Sequence, residues 1–144
     1  MTNSFINNES NNYKIIRAYE SSEIVAPIWS LNVFEPAGGI ASNIQDMIKF
    51  ATLQMDTENI ASTLAHKATT DVKEDMSCGL GWMIIHKANE NELLWHNGAT
   101  GTVGGYTSSM VIDKKRRKAV IILSTIHHQD VGGNLDKLAL ALVR

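Results

Sequence analysis

"WHNGATGTVGGYTSSMVID", Trp95 to Asp113, places four glycines between Gly98 and Gly105, with a histidine before them and a strand-like run after them. Glycine costs conformational entropy on folding, so such a cluster needs a reason: tight turns, or close approach of the backbone to another group. A phosphate cradle would set its glycines between a strand and the start of a helix. Here "YTSSMVI" follows, and neither the G-x-G-x-x-G nor the G-x-x-x-x-G-K spacing occurs. Two readings remain. The stretch is an elaborate turn between neighbouring strands with His96 as an ordinary end-of-strand residue, or it borders a substrate cleft where a ligand lies along the backbone as an added strand would.

Outward from this stretch, "LGWMIIHK", "NELLWH", "GGYTSSMVI" and "KAVIILST" are four runs rich in β-branched and aromatic residues, separated by polar or glycine-bearing turns. Their connections are too short for a crossover helix, which predicts antiparallel pairing. "AVIILS" is apolar on both faces and suits a central strand. "GGNLDKLALALVR" reads as a closing helix, with Leu135, Leu138, Ala139 and Leu142 on one side. Upstream, Ser42 and Gln45 have capping-box spacing before a stripe of Ile44, Met47, Ile48, Ala51 and Met55, predicting a helix from Asn43 to Met55. A second helix is expected from Glu58 to Ala68, with Ile60, Ala61, Leu64 and Ala65 on one side. "YKIIRAY" reads as a short strand, "EPAGG" as a turn and "TTDVKEDMSC" as a loop. Residues 1–12 are rich in Asn and Ser and are expected to be a flexible lead-in, leaving 13–144 as one domain. The order of helices, antiparallel sheet and terminal helix is an α+β pattern.

Composition narrows the function classes. With 144 residues and 44% hydrophobic content, the chain has enough material for a single core. A net charge of −2 provides no global field toward nucleic acid or an anionic membrane, and no nucleic-acid partner is expected. Lys114, Lys115, Arg116, Arg117 and Lys118 form a basic cluster, but it lies where a hairpin turn is expected and no aromatics interleave, so a solvated turn is favoured. Cys78 is the only cysteine, which excludes an intramolecular disulfide. No apolar run approaches the ~18 residues of a membrane span, and the opening residues lack the regions of a signal peptide. His127, His128 and Asp130 match no familiar metal-ligand spacing and are read as loop, so no metal or cofactor is expected. Trp29, Trp82 and Trp95 are read as packing aromatics.

"HNG" followed by glycines, "GGYTSSMVID", a basic turn and "AVIILST" resemble the third active-site motif of the serine β-lactamase, DD-peptidase and esterase superfamily, closest to its class C branch. Upstream, "PAGGIASNIQDMIKFATLQM" resembles the family's Ala-Gly-Gly and Asp-Met helix segment, and "GLGW" its Tyr-Gly-x-Gly-Trp. The similarity runs from about Tyr13 to the C-terminus. Several linked motifs in order are more specific than the triplet alone. The fold so implied is a partial β-lactamase/transpeptidase-like one.

The resemblance implies half of an active site. The family's nucleophile is the serine of Ser-x-x-Lys and its second motif is Tyr-x-Asn or Ser-x-Asn. No serine here has lysine three positions later, and no tyrosine has asparagine two residues on. Ser10-Asn11-Asn12 and Ser30-Leu31-Asn32 fit Ser-x-Asn formally, without any nucleophile motif nearby. The chain is therefore expected to be the C-terminal portion of a larger protein, inactive alone. His96, Asn97 and Gly98 map onto the third motif. His96 would supply positive charge or a hydrogen bond near the substrate carboxylate, with a charge that varies near neutral pH. Asn97 would offer amide hydrogen bonds, and Gly98 would leave room for the acyl group. Thr102 to Gly104 form an apparent insertion relative to the compact form of the motif. The implied substrate is a small-molecule or peptidoglycan-like acyl compound: a β-lactam, a D-alanyl peptide or an ester. The implied partner is the remainder of the parent, or a second copy through the sheet edge, and the implied location is periplasm or cell envelope. The alternative is a non-catalytic binding module that keeps the sheet and has lost the chemistry.

Overall fold

The computed structural model describes residues 1–7, 14–20, 24–29, 31–87, 91–100, 105–126 and 129–144, with 129–133 described for the backbone only. Its centre is a six-stranded antiparallel meander: β3 (Thr70–Lys73), β4 (Met76–Cys78), β5 (Met83–Lys87), β6 (Asn91–Ala99), β7 (Thr107–Asp113) and β8 (Lys118–Ser124), neighbours in space in that order. The four strands read from sequence are β5 to β8. Helices α2 (Ile44–Gln54) and α3 (Ile60–Ala65) lie on the chain before the sheet, and α4 (Gln129–Leu142) closes it. The α+β pattern of an antiparallel sheet packed with helices is what forms.

Alternation along the strands sorts their apolar residues into two cores. Ile84, Leu94, Met110 and Ile112 face Ala51, Met47 and Phe50 of α2 together with Trp82. Leu93 and Val111 face Ala139 and Val143 at the α4 end, with Val120 and Ile122 packed against them. A sheet covered on both faces needs strands apolar on both faces, which accounts for the unbroken runs in β7 and β8.

Several local elements differ from their sequence reading. Among the described residues "AVIILS" is not a central strand: β8 is the last strand of the sheet. "TTDVKEDMSC" is not a loop but the β3–β4 hairpin, with a bulge between Asp71 and Lys73. Its charged residues hid the alternation, because β3 is exposed along its whole length. "EPAGG" is a short helix, α1 (Glu35–Gly38), after a single 3-10 turn at Asn32–Phe34. Pro36 sits in its first turn, where its missing N–H costs nothing. "YKIIRAY" contributes no strand among its described residues; only Tyr19 bridges, to Val25 and Ile126.

The cap of α2 falls one residue later than Ser42. Asn43 Oδ1 accepts from the Asp46 backbone N–H at 2.9 Å, while the Ser42 hydroxyl lies 2.8 Å from Ser4 Oγ. The same Asp46 carboxylate takes hydrogen bonds from Asn3 N at 2.7 Å and Ser4 Oγ at 3.0 Å. It therefore ties the N-terminal residues to the helix, next to β1 (Phe5–Ile6), which pairs antiparallel with β2 (Ile40–Ala41). That order lies inside the stretch 1–12 whose composition suggested a loose lead-in. On α2 the inward side is Met47, Phe50 and Ala51, whereas Ile44 and Ile48 are exposed. On α3 the buried side carries Ser62, and Ile60 and Leu64 face outward. Periodicity located both helices, and of the residues it named Met47, Ala51, Met55 and Ala65 pack on the core while Ile44, Ile48, Ile60 and Leu64 do not.

Candidate active site

The "GLGW" turn builds the floor of the site. Gly79 N donates to Trp82 O at 2.8 Å and Leu80 N to Ala65 O at 2.9 Å, pressing the turn against the end of α3. A Cβ at Gly79 would overlap the Ala65 carbonyl, so this close approach requires glycine. Trp82, 6% exposed, is thereby held under the sheet, stacked on Phe50 with ring centroids 6.3 Å apart. His66 meets its edge at 5.7 Å, and His66 Nε2 lies 2.9 Å from Gln54 Oε1. Burial, aided by the Lys114 charge, pushes the His66 pKa down to about 4. The ring is thus neutral at pH 7, with its proton on the nitrogen facing the acceptor oxygen of Gln54.

His96 stands on the other side of Trp82. Its ring lies 6.3 Å away at 80°, a T-shaped contact. On β6 it pairs with Met110, and two residues on, Gly98 pairs with Ser108, which in turn pairs with Leu123 of β8. His96, Gly98, Ser108 and Leu123 thus share one face by the two-residue period of strands. His96 and Gly98 are exposed and Leu123 is 44% exposed, so this end of the sheet face is open to solvent. Of the three motif residues, His96 and Gly98 are brought together.

Asn97 is not. It pairs with Ser109 on the opposite face, where its Nδ2 donates to Asp136 Oδ2 of α4 at 2.8 Å. Trp95 Nε1 donates to Asp136 Oδ1 at 3.2 Å. Strand alternation turns Asn97 toward α4, so the amide N–H that the resemblance would offer to a ligand is engaged by Asp136 here. Asp136 was missed in the sequence, although a trace was there: it lies three residues before Ala139 and seven before Val143, an acid on the helix's buried stripe.

A second polar constellation also escaped sequence reading. Ser77 Oγ lies 2.7 Å from His86 Nε2, and His86 Nδ1 lies 3.4 Å from Glu92 Oε1. This is the order of a serine–histidine–acid relay. Two facts argue against that use: Ser77 is 3% exposed, and its hydroxyl donates to Asp71 Oδ1 at 2.9 Å. A nucleophile must reach a carbonyl carbon, and this one is walled in by its own partners. The row Asp71, Ser77, His86 and Glu92 instead laces four adjacent strands across the end of the sheet. An open concavity of about 640 Å³ beside it is lined by Lys73, Glu74, Asp75, His86 and Lys87.

The other candidates fall as follows. Residues 114–117 form the β7–β8 turn, and Arg116 donates to Asp113 from both its backbone N–H and its side chain. Among the described residues no three His, Cys, Asp or Glu converge as a metal site. His127, His128 and Thr102 to Gly104 lie outside the described residues, and the side chain of Asp130 does too.

None of the curated proteins compared with the chain matches it. The family model described as Beta-lactamase matches residues 4–144, which takes in every element of the sheet and the helices around it, and the chain belongs to the Beta-lactamase family.

Proposed function

We propose that this chain is the C-terminal portion of a class C-type serine hydrolase and contributes the third motif of an acyl-enzyme site through His96 and Gly98. The observation that carries this reading is the open sheet face at His96. An exposed imidazole stands on a rigid aromatic floor of Trp82, Phe50 and neutral His66, beside a glycine-bearing strand end. A preorganised ionisable group next to an uncovered strand suits proton transfer and carboxylate recognition. The nucleophile is absent from the sequence, so the parent would bring its Ser-x-x-Lys onto this face and form the acyl-enzyme with a β-lactam, a D-alanyl peptide or an ester.

In this reading Asn97 serves the scaffold rather than the substrate, since its amide is engaged by Asp136. That same observation favours the second reading, a binding module that keeps the sheet without the chemistry. One pair of measurements separates them. The chain alone should show no turnover of a chromogenic β-lactam or a p-nitrophenyl ester. The polypeptide extended by its upstream coding region should hydrolyse one of them, with His96→Ala lowering kcat/KM by roughly 10²-fold or more. Extension without turnover would leave the binding module as the better account, and turnover unchanged in His96→Ala would return His96 to an ordinary end-of-strand residue.

A further inference from the structure

Beyond Trp95 the motif strand loses half of its support. The β5–β6 ladder ends at the Met83–Trp95 pair, while the β6–β7 ladder continues through His96, Asn97, Gly98 and Ala99. A segment paired on one side opens more readily than one paired on both. The residue whose direction matters most to the site therefore stands on the less constrained stretch of its strand.

Asp136 is placed to make up the deficit. From α4 its carboxylate accepts from Trp95 Nε1 at 3.2 Å through one oxygen and from Asn97 Nδ2 at 2.8 Å through the other. These are the residues immediately before and after His96, both directed to the α4 face. Hydrogen bonds to an ionised acceptor are the stronger kind, and two of them at alternate positions fix both the height and the tilt of the strand between. With its neighbours held from below, the Cα–Cβ direction of His96 has little freedom, and its ring is set against Trp82 on the opposite face. An asparagine at position 97 fits this task because its amide reaches further than a hydroxyl and brings N–H donors to the carboxylate.

We propose that Asp136 is the positioning residue of the His96 strand, acting through Trp95 and Asn97. Its value to catalysis rests on the reading of His96 as a proton-handling group, whereas the grip itself does not. The test is side-chain and backbone hydrogen exchange together with His96 ring resonances by NMR, for the wild type, Asp136→Ala, Asp136→Asn and Leu140→Ala. In Asp136→Ala the Trp95 indole N–H, the Asn97 amide and the backbone amides of 96–99 should lose protection by roughly 10-fold or more, the factor expected on losing a bond to a charged acceptor. The His96 resonances should move as the ring shifts relative to Trp82. Asp136→Asn keeps one acceptor and should give a smaller change in the same signals. Leu140→Ala removes apolar contact on the same side of α4 and should weaken the fold without displacing the His96 signals. If the His96 resonances in Asp136→Ala stay at their wild-type positions, or move no further than in Leu140→Ala, the proposal is wrong. Should Asp136→Ala not fold, Asp136→Asn decides by the same readouts. Absence of turnover in the extended polypeptide would remove the hydrolase reading and leave the grip standing; unmoved His96 signals would do the reverse.

Discussion

The two edges of the sheet are built from different material. At one edge β3 reads "TDVK": four residues, all exposed, bulged between Asp71 and Lys73, with Lys73 paired to Asp75 at 2.9 Å. At the other, β8 reads "KAVIILS": seven residues, with Val120, Ile121 and Ile122 half-buried and no strand on the outer side among the described residues. Short, charged and bulged edges are how sheets avoid pairing with strangers, and long apolar ones invite it. The helices carry exposed apolar residues as well. Asp136 of α4 points at β6, and at about 100° per residue Leu138 and Leu142 lie on the side turned away from it. They are 47% and 59% exposed. On α2, Phe50 points to Trp82, and the opposite flank carries Ile44 and Ile48 at 39% and 53%. Both helices thus carry apolar side chains at exposed positions. The β3 edge is finished by its own sequence; the β8 edge has the composition of an interior.

The largest effect should follow from this contrast. We expect the isolated chain to self-associate through β8, giving by light scattering a mass that rises above 15.8 kDa with concentration. A Leu123→Lys substitution puts a charge on that edge and should return the chain to monomer, while Val72→Lys on the β3 edge should change nothing. A wild type that stays monomeric across the dilution series would break the comparison and mean that β8 is covered.

This contrast also explains what was legible in the sequence. β5 to β8 and α4 declared themselves because burial forces apolar residues into period 2 or 3.6, and the motif carrying His96 stood out by its glycines. The hairpin β3–β4 was invisible because an exposed edge imposes no apolar period. β8 read as a central strand because Val120, Ile121 and Ile122 form an unbroken apolar run, although among the described residues it has a strand on one side only. Within the site, His96 could be named from "HNG", but the direction of Asn97 depends on which face α4 covers, and that is a tertiary fact. His66, Gln54 and Asp136 carried no motif, since each matters only through a partner at least 12 residues away.

Acid should act on the two sides of the sheet in sequence. His66 has its folded pKa lowered from 6.5 to about 4, so the unfolded chain binds its proton first. Its contribution is fully present above pH 6.5 and is lost as pH falls toward 4, a change of roughly 3 kcal/mol at the lower end. Asp113, fully buried, follows. Burial would raise its pKa, but bonds from the Arg116 backbone and Asn91, with the Arg116 charge, hold it below the ordinary 3.8. Stability from Asp113 is therefore present above that value and lost below it, releasing the turn that joins β7 to β8. Urea midpoints of Leu123→Lys, in which association does not interfere, should fall between pH 7 and pH 4.5, and His66→Gln should flatten that fall. An unaltered slope in His66→Gln would mean that some other group binds the proton.

The smallest effects set a satisfied hydroxyl near the β3 edge against an orphan near β8. Ser77 donates to Asp71 and meets His86, so Ser77→Ala breaks two contacts and should cost about 1–2 kcal/mol. Ser109 is 1% exposed on the α4 face, paired with Asn97, and its Oγ has no hydrogen-bond partner. A buried hydroxyl without a partner carries a desolvation cost and returns nothing, so Ser109→Ala should be neutral or slightly stabilising, within about 0.5 kcal/mol. Both are read from urea midpoints in the Leu123→Lys background. If Ser109→Ala costs as much as Ser77→Ala, the hydroxyl is satisfied by a buried water between β7 and α4. The Asp136 carboxylate would then share its face with that water, and its hold on Asn97 would be correspondingly looser.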